Sequence, residues 1–551
     1  ALARERTGDL EGAARAWASL GSRGAEMRAR ALMAQRDTTL RPAVRRDLLA
    51  LLESRPGTAD ARTAVELLDA GYAPLAPAEE LLVARSATRS GPLARAATGY
   101  ARAFAGGTGT AADRFDQGTT LYRLNRDREA AAAFARLSPA GARGPLAAAA
   151  AYQRGRALVA AGDVPAARRQ LRDVLSRFPR DSSAGLALML LADLATDEGR
   201  DADARAAYRQ AVPLLPRGAR ASAARFRAAL LAHVLGRPRE AAAEWDSLAS
   251  LDPRGEEANA ATYWSGRAWK AAGDSARARE RWRAVLARDP LSYYAALAAR
   301  RLGEAPWAPA GGGDPEVAAA AQRVMERGQL LDALGMDAEE RLEYDALAAA
   351  AARARDAARL LDVATAFRAN GEASRGIATA LRAIDAGAAR DARLYRLLYP
   401  LGHQKALEAD AKSASLDAAL MAALIRQESR WSPRATSAAG ARGLMQVMPG
   451  VGASVARSLG ITPWDPVLLY EPEVNLAIGA RHLRAYIAQY QHLERALAAY
   501  NAGQSRVARW GRKGGVEDPE LFVERIPFVE TRDYVRIVLR TAELYRALYE
   551  W

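Results

Sequence analysis

Small and large apolar positions recur along the first three hundred residues with a period of 37. Asn125, Gly162, Gly199, Gly236 and Gly273 mark the interval, and each suits the left-handed backbone that ends one helix and turns into the next. Five residues on stand Ala130, Ala167, Ala204, Ala241 and Ala278, and nine on stand Phe134, Leu171, Tyr208, Trp245 and Trp282. Ten residues before each turn come Phe115, Tyr152, Met189, Phe226 and Tyr263, and seven before it Gly118, Gly155, Ala192, Ala229 and Gly266. Pro179, Pro216, Pro253 and Pro290 close the second helix of each unit. The pattern predicts helix hairpins that cannot bury their own apolar faces, so that stacking supplies the core. Degenerate hairpins are expected to continue toward the N-terminus, as in Gly8 to Trp17. Around Tyr293 to Gly303 the repeat stops, and Glu304 to Gly313, rich in Pro and Gly, reads as a linker. From Pro315 to Leu401 a helical pattern returns, with a further hairpin at Asn370-Gly371, and Tyr399-Pro400 marks entry to a last domain. The expected domains are therefore 1–303, 304–400 and 401–551.

In that last domain, Leu420, Leu424 and Glu428 recur at four-residue spacing with Met421 and Ile425 beside them, so Glu428 continues the inward face of a helix that Trp431-Ser432-Pro433 terminates. A carboxyl group there is desolvated and lies at the negative end of the helix dipole. Both effects raise its pKa, as a general acid working near neutral pH requires. The plainer alternative is a solvated Glu, or one paired with Arg426 or Arg430.

Composition narrows the classes. Helix is the default, because alanine and arginine dominate and strand patterns are scarce. Seventy-nine Lys and Arg against 64 Asp and Glu give a net charge of +15, yet from Lys405 onward 19 basic side chains face 16 acidic ones. Most of the excess thus lies upstream, where no basic run interleaved with aromatics suggests nucleic acid. A solvated Arg-rich helical surface, with some attraction to an anionic envelope polymer, is the expected reading. There is no cysteine, hence no disulfide or thiolate chemistry. His233, His403, His482 and His492 lack ligand spacing, so no metal or other cofactor is expected. No apolar run is long enough to span a bilayer, and the opening residues carry no targeting segment. Trp245, Trp264, Trp269 and Trp282, at helical spacing, are expected in the core rather than stacked on sugars.

Glu428-Ser429, Ser437 and the run Gly440-Ala441-Arg442-Gly443-Leu444-Met445-Gln446-Val447-Met448-Pro449 together resemble the signature of the soluble lytic transglycosylases, peptidoglycan-cleaving relatives of goose-type lysozyme. Asn475 to Leu483, Ala498-Ala499-Tyr500-Asn501-Ala502-Gly503 and Phe522 to Val535 resemble its later motifs, with His482 in place of a usual Tyr. The upstream repeats resemble tetratricopeptide-like units, though longer than the usual length. The resemblance implies an all-α protein, a helical superhelix and a helical linker domain followed by a lysozyme-like catalytic domain. It implies that the C6 hydroxyl of N-acetylmuramic acid attacks C1 to give a 1,6-anhydro product, with Glu428 as acid and then base. A single acid suffices for that route because the attacking hydroxyl is already tethered; Asp465, Glu471 and Glu473, among prolines, read as surface or capping carboxylates. By the same resemblance Ser437, Gln446, Met448, Tyr500 and Glu524 bind substrate, Tyr500 as a hydroxyl near Glu428 or the sugar's N-acetyl group. Tyr534 falls in the core of the last helix. Expected partners are peptidoglycan strands and envelope proteins met through the superhelix, in the periplasm or cell envelope. The rivals are a hydrolytic muramidase of the same fold and a repeat scaffold that only binds glycan.

Overall fold

Every left-handed turn expected from the 37-residue spacing is present: φ is +57° at Asn125, +81° at Gly162, +73° at Gly199, +74° at Gly236 and +90° at Gly273. The structure, a computed structural model, describes residues 1, 4–5, 7–305, 307–311, 318–511 and 517–551. Pro306, Gly312 and Gly313 of the expected linker, and Pro315, lie outside the described residues. The fold is all-α. Among the described residues the extended pairings are two isolated bridges, Thr436 with Arg442 and Arg442 with Val447. No helix there is long and apolar enough to cross a membrane.

The chain divides into two compact units, Ala1–Thr196 with Ala202–Ala228, and Asp197–Asp201 with Ala229–Trp551. In the first, helices Pro145–Ala160 and Val164–Arg177 pack as an antiparallel pair about the Gly162 turn. The pairing rule is small against large. A Cβ added to Gly118 would stand 2.7 Å from Phe134, and one added to Gly155 2.7 Å from Leu171. The second unit repeats the rule between helices Ala258–Ala271 and Ser275–Arg288, where a Cβ on Gly266 would meet the Trp282 ring at 2.6 Å. Gly266→Ala is therefore expected to destabilise the protein by about 1–3 kcal/mol in urea titrations, although Gly to Ala inside a helix ordinarily stabilises by about 1 kcal/mol. Trp245, Trp264 and Trp282 are buried, and Trp269 is half-buried beneath Arg277, with its indole donating to Asp246 at 3.0 Å.

In the second unit the repeats end on helix Tyr293–Leu302, capped by Gly303 at φ +71°. Helices Ala357–Ala369 and Ala373–Asp385 form the hairpin expected at Asn370-Gly371. They share one continuous apolar core with the helices that follow, from Ala321 to Leu548. At its centre lies helix Ala418–Glu428, packed along the last long helix, Val529–Tyr549. Sequence spacing gives the central helix one inward face, but Ala419 to Ile425 are all buried, so it is enclosed all round.

The short helix Pro519–Glu524 is fastened to the repeats of the same unit. Glu520 accepts from Tyr263 at 2.5 Å, Arg301 at 2.7 Å and Arg267 at 3.0 Å, while Arg267 also pairs with Asp518. Arg525, 5% exposed, donates twice to Asp201, at 2.8 and 3.1 Å. Pairing offsets the desolvation of these charges, and removing one partner would be strongly destabilising.

Candidate active site

Glu428 is the last residue of the buried helix, and the chain leaves it abruptly. Ser429 caps the end, its amide and hydroxyl both donating to Ile425 O, and Arg430 and Trp431 then adopt φ of +52° and +65°. Two successive non-glycine residues in the left-handed region are costly. Trp431 offsets that cost by burial and by donating its indole N–H to Tyr545 at 2.9 Å. The sharp exit leaves the Glu428 carboxyl half-buried at the end of the apolar core.

Burial pushes the Glu428 pKa up to about 7, opposed by a hydrogen bond from the Tyr534 hydroxyl to Oε1 at 2.5 Å. Among the described residues no cation is paired with it and no second carboxylate contributes to the shift. A carboxyl group so placed is protonated for much of the time at neutral pH and can both give and take a proton. Tyr534 is 4% exposed, and its own pKa lies well above the ordinary value because of burial, so it stays a donor. Sequence reasoning assigned Tyr534 to the core; the structure places it there and adds the contact with the acid across 106 residues of chain. Sequence patterning alone carried no signal for that contact.

Tyr500 occupies the neighbouring position with a different partner. Its hydroxyl donates to Met445 O at 2.8 Å rather than to Glu428, although the carboxylate is close enough to help hold the phenol's pKa well up, after burial. Beside it stands His482, ring centroids 5.3 Å from Tyr500 and 4.5 Å from Tyr486. Burial lowers its pKa, which favours the neutral ring. Asn501 accepts from Thr531 at 2.8 Å, tying the Tyr500 segment to the start of the last helix.

The loop from Ser437 to Met448 is held by internal bonds. The Ser437 hydroxyl accepts from Ala441 N at 3.0 Å, closing a turn. Gln446, at φ +49°, donates its side-chain amide to Ala435 O at 3.1 Å and Gly443 O at 3.0 Å. Met448 is 43% exposed, where it precedes helix Pro449–Ser458. The residue that fixes this loop is Asn475, fully buried in helix Pro472–Tyr490. It accepts from Met445 N at 2.8 Å and donates to Leu469 O at 2.7 Å and Arg442 O at 3.0 Å. Its place in a family-like motif was legible from the sequence, but not its three partners.

Glu524 has partners within the chain. It is 7% exposed, one oxygen accepting from Tyr294 at 2.7 Å and the other paired with Arg536. Asp465 accepts from Val467 N at 2.7 Å as a helix cap, and Glu471 and Glu473 are exposed.

Residues 405–523 match the family model described as Transglycosylase SLT domain, and residues 115–181 and 152–219 match a tetratricopeptide repeat model. The soluble lytic murein transglycosylase of Salmonella typhimurium is 38% identical over 151 residues, 27% of this chain and 23% of that protein. The curated match thus spans about a quarter of that relative's length. Among solved structures, the lytic transglycosylase Slt of Pseudomonas aeruginosa superposes with a TM-score of 0.59 at 23% identity, covering 94% of this chain and 81% of that one. A 70-kDa soluble lytic transglycosylase in complex with bulgecin A gives 0.61 at 18% identity, covering 98% and 94%. The carboxyl-terminal part of this chain is accordingly a transglycosylase SLT domain, carried in an all-helical fold shared with the soluble lytic transglycosylases.

Proposed function

We propose that the SLT domain cleaves the β-1,4 bond between N-acetylmuramic acid and N-acetylglucosamine in peptidoglycan without water, leaving 1,6-anhydro ends. The observation that carries this reading is a lone carboxyl group whose pKa is raised to about 7, with neither a paired cation nor a second carboxylate acting on it. A hydrolase of this type ordinarily needs a second carboxylate, as nucleophile or as base for water. An intramolecular attack needs one group that first gives a proton and then takes one.

In the proposed reaction protonated Glu428 gives its hydrogen to the glycosidic oxygen as the C1–O bond breaks. The C6 hydroxyl then bonds to C1 and its proton passes to the Glu428 carboxylate, restoring the acid. The Tyr534 hydroxyl on Oε1 fixes the carboxyl plane and stabilises the charge that forms between the two steps. Ser437, Gln446, Met448 and Tyr500 belong to the proposed sugar-binding surface, Met448 by its exposed side chain and Gln446 by the loop it braces. The substrate places the site of action in the cell envelope, facing the periplasm.

Mass spectrometry of digested sacculi tests the route. Anhydro ends lie one water lighter than reducing ends; reducing ends alone would make the domain a hydrolase. A second test concerns Tyr534. Its hydrogen bond lowers the acid's pKa, so Tyr534→Phe is expected to move the alkaline fall of the pH–rate profile, expected near pH 7 in the parent, to higher pH. An unmoved fall would mean that the contact does not tune the acid.

A further inference from the structure

Within the constant 37-residue period one second helix is cut short, and a cavity opens beside it. The second helix of a unit runs 14 residues in Val164–Arg177, Pro238–Leu251 and Ser275–Arg288, and 11 in Asp201–Ala211, which the helical turn Val212–Leu214 prolongs, but only 9 in Asp127–Ala135. The period is kept by a loop, Ser138 to Gly144, with Gly141 and Gly144 at φ of +82° and +93° and Ala142 where later units carry proline. Where the missing helical turns would have packed there is a cavity of about 1140 Å³.

Its rim is braced and its lining is cationic. Arg177 donates to Pro139 O at 2.8 Å and Ala142 O at 3.2 Å, holding the loop, and pairs with Asp173 at 2.8 Å. Asp173 is thereby neutralised, and Asp163 accepts from Ala166 N as a helix cap. Arg143, Arg154 and Arg169 also line the cavity, and none has a hydrogen bond or ion pair to any described residue. A second observation is independent of charge. Ser138, 6% exposed and lining the same cavity, has a buried hydroxyl without a partner among the described residues. Three free guanidinium groups around one cavity are an arrangement that a ligand rich in acceptors would complete.

We propose that this cavity is a docking site for an acidic peptide segment of a partner protein. Guanidinium forks fit carboxylates in bidentate fashion. The Ser138 hydroxyl and the Gln170 amide suit a peptide backbone, and Leu158 and Phe178 offer it apolar surface. The volume exceeds that of ordinary small-molecule pockets, about 300–1,000 Å³.

The experiment uses the full chain, with fluorescein-labelled octaglutamate as probe and octaglutamine as control, read by fluorescence anisotropy at low and high salt. Octaglutamate is expected to bind, octaglutamine at least tenfold more weakly. The double variant Arg154→Glu with Arg169→Glu is expected to lose at least tenfold in affinity, whereas Arg172→Glu, exposed on the same helix but outside the cavity, changes little. If the double variant unfolds, Arg154→Gln with Arg169→Gln takes its place. Equal losses in Arg172→Glu would reduce the effect to diffuse surface charge and overturn the proposal. So would polygalacturonate binding more tightly than octaglutamate with the same arginine dependence, since the occupant would then be an anionic polysaccharide.

Discussion

Replacing Glu428 with Gln is expected to lower cleavage of sacculi by about 10²–10⁴-fold, the usual worth of a positioned general acid and base, while making the protein more stable at alkaline pH. The two effects share one cause. The native state holds the Glu428 proton up to about pH 7, whereas an unburied carboxyl of this kind releases it near 4.5. Between those values the folded protein binds more protons than the unfolded chain, so stability falls as pH rises, by about 1.4 kcal/mol per pH unit. The accumulated cost at pH 8 is roughly 3 kcal/mol, and glutamine, which cannot ionise, does not incur it. Urea denaturation of parent and variant at pH 4 and pH 8 measures the difference, which should be near zero in the first and largest in the second. Equal stability at both values would mean that the carboxyl is not desolvated. Undiminished turnover would remove Glu428 from the chemistry altogether.

The second large effect is structural. Asn475→Leu keeps the volume of a fully buried side chain but leaves Met445 N and the Leu469 carbonyl without their partner, while the Arg442 carbonyl keeps its bond from Val447 N. At about 1–3 kcal/mol for each of the two buried groups left unpaired, the variant is expected to lose about 2–6 kcal/mol. Activity should fall with it, because the same loop carries Gln446 and the carbonyl that receives the Tyr500 hydroxyl. Gly443→Ala attacks the same joint from the other side. Its Cβ would stand 2.0 Å from Leu469 O and 2.2 Å from the Asn475 amide, at a φ of +76° that alanine disfavours. Thermal denaturation followed by circular dichroism checks both variants; a Tm within about a degree of the parent for either would mean that the joint does not hold the loop.

What the sequence disclosed depended on whether a residue's role is local. The turns at Asn125 and the four glycines were legible because positive φ restricts the residue type at the position itself. Glu428 was legible because a carboxyl at the end of an apolar helix is expensive wherever the rest of the chain goes. The partners of Glu524, Tyr294 and Arg536, were not legible because they lie 230 and 12 residues away and nothing in its neighbourhood announces them. Tyr534 looked like any core tyrosine, since only the packing of the last helix along the buried one brings its hydroxyl to the acid. Asn475 sat in a recognisable motif without revealing that one amide binds three backbone groups on two segments.

The fastening of the Pro519–Glu524 helix bears on any attempt to produce the SLT domain alone. A fragment trimmed to begin near Leu401 would strand Asp518, Glu520 and Glu524 without Tyr263, Arg267, Tyr294 and Arg301, and would strip Arg525 of Asp201. Excision therefore creates orphaned charges on a surface shaped to be covered, and a poorly soluble or inactive fragment would report that injury rather than a missing catalytic group.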